Sequence, residues 1–105
     1  MNKIEELAKT LAEIDKVLHE RIRLAISTIL FHRGKVSFNT LKRMLKTSEG
    51  NLATHLRTLE QAGYVKVEKK FIERKPQTTY ELTDKGIKAY REYLKTLTKI
   101  LQFEK

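Results

Sequence analysis

The chain has 105 residues, of which 22 are Lys or Arg and 13 are Asp or Glu, so its formal net charge at pH 7 is +9. A chain of this length has room for one small core, which excludes large multidomain enzymes, and the absence of cysteine excludes disulfide scaffolds and thiolate metal sites. No apolar run approaches the roughly 20 residues of a membrane span, and residues 1–6 lack the layout of a signal peptide, so we expect a soluble, cytoplasmic protein with no membrane partner.

Two amphipathic helices are predicted in the first third of the chain. Apolar residues recur at spacings of three and four, which predicts a helix over about residues 2–16; these are Ile4, Leu7, Leu11, Ile14 and Leu18. A second stripe, displaced from the first, runs from Ile22 to Leu30, and Gly34 can end its helix. We expect the break between the two helices at residues 18–20.

A very short strand and two further helices are predicted in the middle of the chain. Residues 36–38 alternate apolar and polar side chains, as a strand does, and either Ser37 or Asn39 can cap the short helix that follows. Ser48 is expected to be the N-cap of the next helix, which carries a stripe of leucines. Gly63 supplies the left-handed residue that commonly ends a helix.

A β-hairpin and a long helix complete the predicted elements. Residues 64–71 switch to a period of two, and residues 78–82 form a second strand after a polar turn over residues 73–76. Thr83 can cap a final helix with a wide apolar stripe. The predicted fold class is mainly α with a small β-hairpin, in the order helix, helix, short strand, helix, helix, hairpin, helix.

Two helices joined by a tight turn and followed at once by a hairpin are typical of a winged helix-turn-helix, whose second helix enters the major groove of DNA. The chain resembles the MarR/ArsR-like winged-helix transcriptional regulators, in particular their small single-domain branch in prokaryotes and archaea. Three segments carry the resemblance in order, within residues 18–94: Val36–Leu41, Ser48–Val65 and Lys75–Gly86. We expect one domain, with an N-terminal helix over residues 1–18, a winged-helix core over 19–82 and a C-terminal dimerisation helix over 83–105.

The helix predicted over about residues 48–62 has the pattern of a helix that reads DNA. With its leucines facing inward, its outward face carries small polar residues and one long cation. Asn51 can pair with adenine, and Arg57 can reach either a guanine or a phosphate. The outward face includes Thr58, and the resemblance implies DNA contacts at Ser48, Glu49, Gly50, Asn51, Thr54, His55 and Arg57. The alternative is that these side chains only solvate an exposed helix.

The hairpin, about residues 65–82, is the predicted wing. In the resembling regulators the wing reaches the minor groove or its flanking phosphates, which implies such contacts for the cations near its tip, Lys69, Lys70, Arg74 and Lys75. The alternative is a solvated hairpin in which Glu68 and Glu73 pair with the lysines. Lys42 and Arg43, on the preceding helix, are further candidates for contacts that position the DNA backbone.

The apolar stripes of the first and last helices are wider than one small core needs. We therefore expect a homodimer that places two recognition helices on half-sites about 34 Å apart. The predicted interface residues are Ile4, Leu7, Leu11, Ile14, Tyr90, Leu94, Leu97 and Leu101. The alternative is a monomer in which both helices fold back over their own domain.

The sequence favours a binding protein over an enzyme. Its basic excess lies after residue 18, which favours a polyanion as partner, and its three scattered histidines and lack of a Gly-rich phosphate loop predict no metal, no cofactor and no catalysis. We expect a sequence-specific regulator that binds double-stranded DNA in the nucleoid. The alternatives are a winged-helix adaptor of the transcription machinery and a non-specific chromatin-coating protein. Some of the resembling regulators bind a small-molecule effector, so the resemblance leaves open whether this protein has one. No residue of the sequence identifies such an effector.

Overall fold

The structure is a computed structural model that describes residues 2–103. Its five helices and three strands, in chain order, are α1 (Lys3–Ala12), α2 (Arg21–Arg33), β1 (Val36–Ser37), α3 (Phe38–Leu45), α4 (Glu49–Gln61), β2 (Val65–Ile72), β3 (Lys75–Leu82) and α5 (Asp84–Leu101). The predicted fold class and element order are confirmed. Within residues 2–103, no helix is both long enough and apolar enough to cross a membrane.

The first helix is shorter than predicted, because a side chain competes with it. α1 ends at Ala12, and Oδ1 of Asp15 then accepts hydrogen bonds from the backbone N–H groups of Val17 at 2.9 Å and Leu18 at 3.0 Å. Such an aspartate turn offers the backbone an alternative to the helix. The turn, and not the helix, delivers Leu18 to the core, where it is fully buried.

The helix caps resolve what the sequence left open. Ser37, and not Asn39, caps α3, since its Oγ accepts from the backbone N–H of Thr40 at 3.1 Å. The predicted strand over residues 36–38 is consequently too long by one, and Phe38 begins the helix. Two predicted caps are confirmed: Ser48 accepts from the N–H of Asn51, and Thr83 accepts from the N–H of Gly86.

The wing ends in a tighter turn than predicted. The antiparallel pairing of β2 and β3 runs to Ile72 opposite Lys75, so only Glu73 and Arg74 form the turn. Both have positive φ, 52° and 67°, as in the two-residue turns whose twist matches a hairpin. Pro76, which has no backbone N–H, lies inside β3. The pairing of β1 with β3 is confined to residues 79 and 80 of β3, so one edge of β3 is unpaired at Pro76. Proline is tolerated at such an unpaired edge.

The core lies between the helices and one face of the sheet, whose strand order is β1-β3-β2. From the sheet come Val36, Val65, Tyr80 and Leu82, and from the helices and the turn come Leu18, Ile22, Ile26, Leu30, Leu41, Leu52, Leu56, Leu59, Tyr90 and Tyr93. α5 begins in close contact with the segment that joins α4 to β2, since a Cβ added at Gly86 would overlap the carbonyl oxygen of Tyr64. The close approach fixes where the last helix leaves the wing.

The molecule is elongated. It measures 61 × 26 × 21 Å and has a radius of gyration of 16.1 Å, against about 13 Å for a compact domain of this length. The outer part of the wing and apolar residues of α1 and α5 are exposed. Both regions are therefore available to partners.

Candidate nucleic-acid interface

The two sides of α4 differ sharply in burial. Leu52, Leu56 and Leu59 are buried in the core. On the opposite side Gly50, Asn51, Thr54, Arg57 and Gln61 are exposed, and Thr58 is half-buried. The predicted division of this helix into a leucine side and a polar side is confirmed.

Local hydrogen bonds hold the polar side of α4 in place. The Asn51 side-chain amide donates to Thr47 Oγ1 at 2.8 Å, and Thr54 Oγ1 donates to the carbonyl of Gly50 at 2.9 Å. Across residues 2–103, the Arg57 guanidinium has no hydrogen-bond or ion-pair partner. The face therefore offers a pre-positioned amide, hydroxyl groups and one available guanidinium, which are the groups that contact base edges and phosphates.

Gly50 lies in the first turn of α4 with open space around it. Apart from the adjoining residues and the backbone of α4 itself, no atom of residues 2–103 lies within 4 Å of the position that a Cβ would take there. Glycine costs a helix interior up to ~1 kcal/mol relative to alanine, and packing inside this protein does not require it. Because Gly50 has no side chain, another molecule can approach the backbone at the start of α4 closely.

The two faces of the wing have different chemistry. Cross-strand register puts Val65, Val67, Lys69 and Phe71 on the face that the helices cover at its base. The other face carries ion pairs: Glu68 Oε1 lies 3.1 Å from Lys35 Nζ and 3.3 Å from Lys70 Nζ. These hydrogen bonds hold the pKa of the exposed Glu68 carboxyl below its ordinary value. The alternative in which Glu68 pairs with a wing lysine is thus realised at Lys70, whereas within residues 2–103 no ion pair involves Glu73.

The remaining predicted cations stand free. In the described chain, residues 2–103, no ion pair involves any of Lys42, Arg43, Lys69, Arg74 and Lys75, all of which are exposed. Lys42 and Arg43 lie in the last turn of α3, just before α4 begins. Unpaired positive charge therefore lies on the element before α4 and near the end of the wing, in addition to that of Arg57 on α4.

The predicted dimer residues fall into two groups. Exposed apolar side chains remain at Ile4, Leu11, Leu94 and Leu101, while Leu7 is half-buried and Ile14 and Leu97 pack partly against the core. Tyr90 is only 2% exposed, its hydroxyl donates to Thr28 Oγ1 at 2.9 Å, and its ring packs on Phe31 with centroids 4.8 Å apart. Placing Tyr90 at the dimer surface was wrong, because it fills the core of its own chain.

Residues 22–101 match the family model described as the winged helix DNA-binding domain. The chain belongs to this winged-helix family. It is 33% identical over 90 residues to an uncharacterised protein of Methanocaldococcus jannaschii, covering 86% of this chain and 95% of the relative. The structure of a transcriptional regulator homologue from Pyrococcus horikoshii is 35% identical, with a TM-score of 0.82, and covers 89% of this chain and 94% of that one. HlyU from Vibrio cholerae is 27% identical, with a TM-score of 0.60 and coverage of 92% and 97%.

Within the winged-helix domain, His55 is the predicted site residue that lies apart from the others. It is half-buried, and its Nδ1 lies 3.1 Å from Nη1 of Arg23 and 3.6 Å from Oε1 of Glu20. Because the guanidinium can only donate, Nδ1 accepts, and the imidazole N–H is on Nε2. The imidazole thus joins α4 to α2.

The sequence analysis missed Arg23 and Glu20 as residues that support the winged helix. Burial alone would raise the pKa of Glu20, but backbone N–H groups of Arg23 and Ile22, together with the charge of Arg23, hold that pKa below its ordinary value. The available signal was a charged residue, Arg23, between the apolar positions of α2, together with a glutamate, Glu20, at the point where the helix begins. Helix periodicity cannot reveal that Arg23 contacts His55, because the two residues are 32 positions apart in the sequence.

Proposed function

We propose that this chain is a sequence-specific transcriptional regulator of the MarR/ArsR-like type, which binds double-stranded DNA as a homodimer. The recognition helix α4 lies in the major groove, and the wing of β2 and β3 lies at the minor groove or backbone. The observation that carries the proposal is the polar side of α4, which is exposed although the leucines opposite are buried.

The first half of α4 suits close approach to base edges. Ser48 and Gly50 are small, and Ser48 Oγ, which accepts from the Asn51 N–H at 3.1 Å, still has a proton to donate to a phosphate. Asn51 and Thr54 follow on the exposed side, one helical turn apart. Asn51 can bind an adenine through paired donor and acceptor groups. This half of the helix supplies the base contacts in our proposal.

Free cations around α4 supply the affinity. Lys42 and Arg43 precede the helix, Arg57 extends from its middle, and Lys69 and Arg74 lie on the wing. Each phosphate that a cation neutralises releases a condensed counterion from the duplex. A regulator built this way binds any duplex weakly and its operator tightly, with both affinities falling as salt rises.

Exposed leucine and isoleucine side chains support the homodimer. Ile4 and Leu11 on α1, and Leu94 and Leu101 on α5, remain in water in the single chain. Large exposed apolar patches commonly mark interfaces between proteins. A two-fold axis through these helices would place two α4 helices on a roughly palindromic site.

Selection from a random duplex library tests the proposal. We expect one enriched motif, roughly palindromic, whose binding weakens with salt by ~0.9 in the slope of log K against log salt per neutralised phosphate. Arg57→Ala lowers affinity for the enriched duplex and reduces this slope by about one such increment. Lys95→Ala is the charge-matched control, since Lys95 is exposed on α5 and, among residues 2–103, pairs only with the neighbouring Glu92.

The outcomes separate the candidate functions. Retardation of every duplex with no enriched motif indicates a chromatin-coating protein. Absence of any retardation at micromolar protein and moderate salt indicates an adaptor of the transcription machinery. Equal affinities of Arg57→Ala and wild type for the enriched duplex contradict the role given to α4.

A further inference from the structure

The outer end of the wing carries two exposed apolar side chains. Phe71 is 78% exposed and Ile72 is 48% exposed, and both precede the two-residue turn at Glu73 and Arg74. Successive residues of a strand point to opposite faces of the sheet, so these side chains lie on different faces of the wing. Ile72 can therefore serve as the control for an experiment on Phe71, because it is a neighbouring exposed apolar residue on the opposite face.

Phe71 lies on the face that the helices cover at its base. Along this face of β2 the exposed fraction rises from 4% at Val65 to 39% at Val67 and 78% at Phe71. Six residues of strand span about 20 Å, so Phe71 extends well past the packed helices. Its ring is presented on the same side of the sheet as α4 and has no part in the core.

The surroundings of Phe71 are positively charged. On its own face the preceding residue is Lys69, which has Thr78 opposite, and Phe71 itself has Pro76 opposite. Arg74 and Lys75 follow at the turn, and residues 2–103 contribute no ion-pair partner to either of them. Glu68 lies on the other face between Lys35 and Lys70, and Glu73 is the one carboxylate at the turn. An aromatic ring flanked by free cations fits a partner with negative charge and flat apolar surfaces.

We propose that Phe71 is the apolar contact of the wing with duplex DNA, where its ring packs against sugars and base edges of the minor groove. Lys69 and Arg74 hold the phosphates on either side. This inference rests on the proposed function and adds to it a contact that carries no charge. Apolar side chains are used in this way where proteins bind or kink the minor groove, and an aromatic ring has a π-face that any base can stack on.

The absence of tryptophan makes a direct test available. The chain has no Trp, so Phe71→Trp and Ile72→Trp each carry a single fluorescent reporter, a tryptophan that can be excited at wavelengths where the four tyrosines absorb little. The probe is the duplex enriched from the random library, or the unselected library itself if no motif is enriched. We expect the duplex to quench emission from position 71 strongly and emission from position 72 little, because only the first side chain meets the groove.

Alanine variants give the energetic counterpart. Phe71→Ala weakens binding to the same duplex about tenfold, the order of loss that an aromatic contact with a nucleotide gives, and leaves the salt slope unchanged because no charge is removed. Ile72→Ala stays within about twofold of wild type by the same reasoning. Both side chains are outside the core, so circular dichroism melting curves of both variants should match that of wild type.

Each failure has its own signature. If the wild-type chain binds no duplex, the proposed function fails and this inference with it. If wild type binds while Phe71→Ala binds equally well and the reporter at position 71 is not quenched, only this inference is overturned. If that reporter changes with protein concentration in the absence of DNA, in step with the mass measured by light scattering, a second copy of the chain covers Phe71 and the DNA contact is refuted.

Discussion

Arg23 of α2 donates to Nδ1 of His55 on α4 across 3.1 Å, while its Nε donates to the carbonyl of Val17 at 2.7 Å. One guanidinium thus connects the turn before α2 to the middle of the helix proposed to read DNA. The connection sets how α4 is held on the domain without itself lying on the exposed face. We infer that Arg23 and His55 are positioning residues.

Removing this connection should loosen α4. Arg23→Ala is expected to lower the free energy of unfolding by about 1 to 3 kcal/mol, because its hydrogen bonds involve a charged donor. Affinity for the enriched duplex should fall with little change in the salt slope beyond that of Arg21→Ala, which removes an equal charge from an exposed neighbour. Urea unfolding and mobility shifts over a salt series measure both. A His55→Ala variant with normal stability and reduced affinity would instead support direct contact with DNA.

The two helical glycines of α4 and α5 should respond oppositely to alanine. At Gly86 a Cβ would overlap the Tyr64 carbonyl oxygen, so Gly86→Ala should lower the free energy of unfolding by about 1 to 3 kcal/mol. At Gly50 the space is open, so Gly50→Ala should raise it by up to ~1 kcal/mol through helix propensity. Urea unfolding measures both. The Gly50→Ala variant should nonetheless bind the enriched duplex less tightly, and unchanged binding would show that DNA does not approach this backbone closely.

The hydroxyl of Tyr64 donates to Oδ2 of Asp15, and this bond should make stability depend on alkaline pH. Burial, followed by the hydrogen bond and charge of Asp15, raises the pKa of Tyr64 from 10.0 to about 12. A raised pKa means that the folded chain favours the protonated phenol. The stabilisation is therefore complete below pH 10.0 and is lost as pH rises towards about 12.

Comparison with Tyr64→Phe isolates this effect. The difference in free energy of unfolding between wild type and the variant should shrink as pH rises above 10.0, and urea unfolding at a series of pH values measures it. Burial also raises the pKa values of Tyr80 and Tyr93, but both residues are present in the two proteins. A difference that is constant across this range would show that Tyr64 titrates normally.

The proposed dimer can be tested at Leu101, the most exposed large apolar residue of α5 at 81%. Leu101→Asp should halve the mass measured by light scattering, because it puts a charge into the apolar contact, and should weaken operator binding. Leu97 is less suitable, since it packs partly against its own core. Lys95→Asp, on another side of the same helix, should keep the wild-type mass. A Leu101→Asp chain that remains dimeric would move the interface elsewhere.

The wing shows which site residues could be predicted from sequence. Period-two alternation over β2 predicted the hairpin correctly, and all four predicted cations lie on it. The sequence raises pairing of Glu68 with a wing lysine as a local possibility, but the second partner of that glutamate, Lys35, is 33 residues away and could not be predicted. The turn also escaped prediction, since Glu73 and Arg74 lack the glycine that usually accompanies positive φ in such turns.

The sequence by itself determined the elements, their order, the caps at Ser48 and Thr83 and the leucine side of α4. Each of these depends on residues within one or two helical turns of each other, so periodicity and capping chemistry suffice. Only the tertiary structure decided that His55 turns inward to Arg23, that Tyr90 fills the core, and that Phe71 lies beyond the helices. Those outcomes depend on which distant segments pack together, and burial and long-range hydrogen bonds are set by that packing.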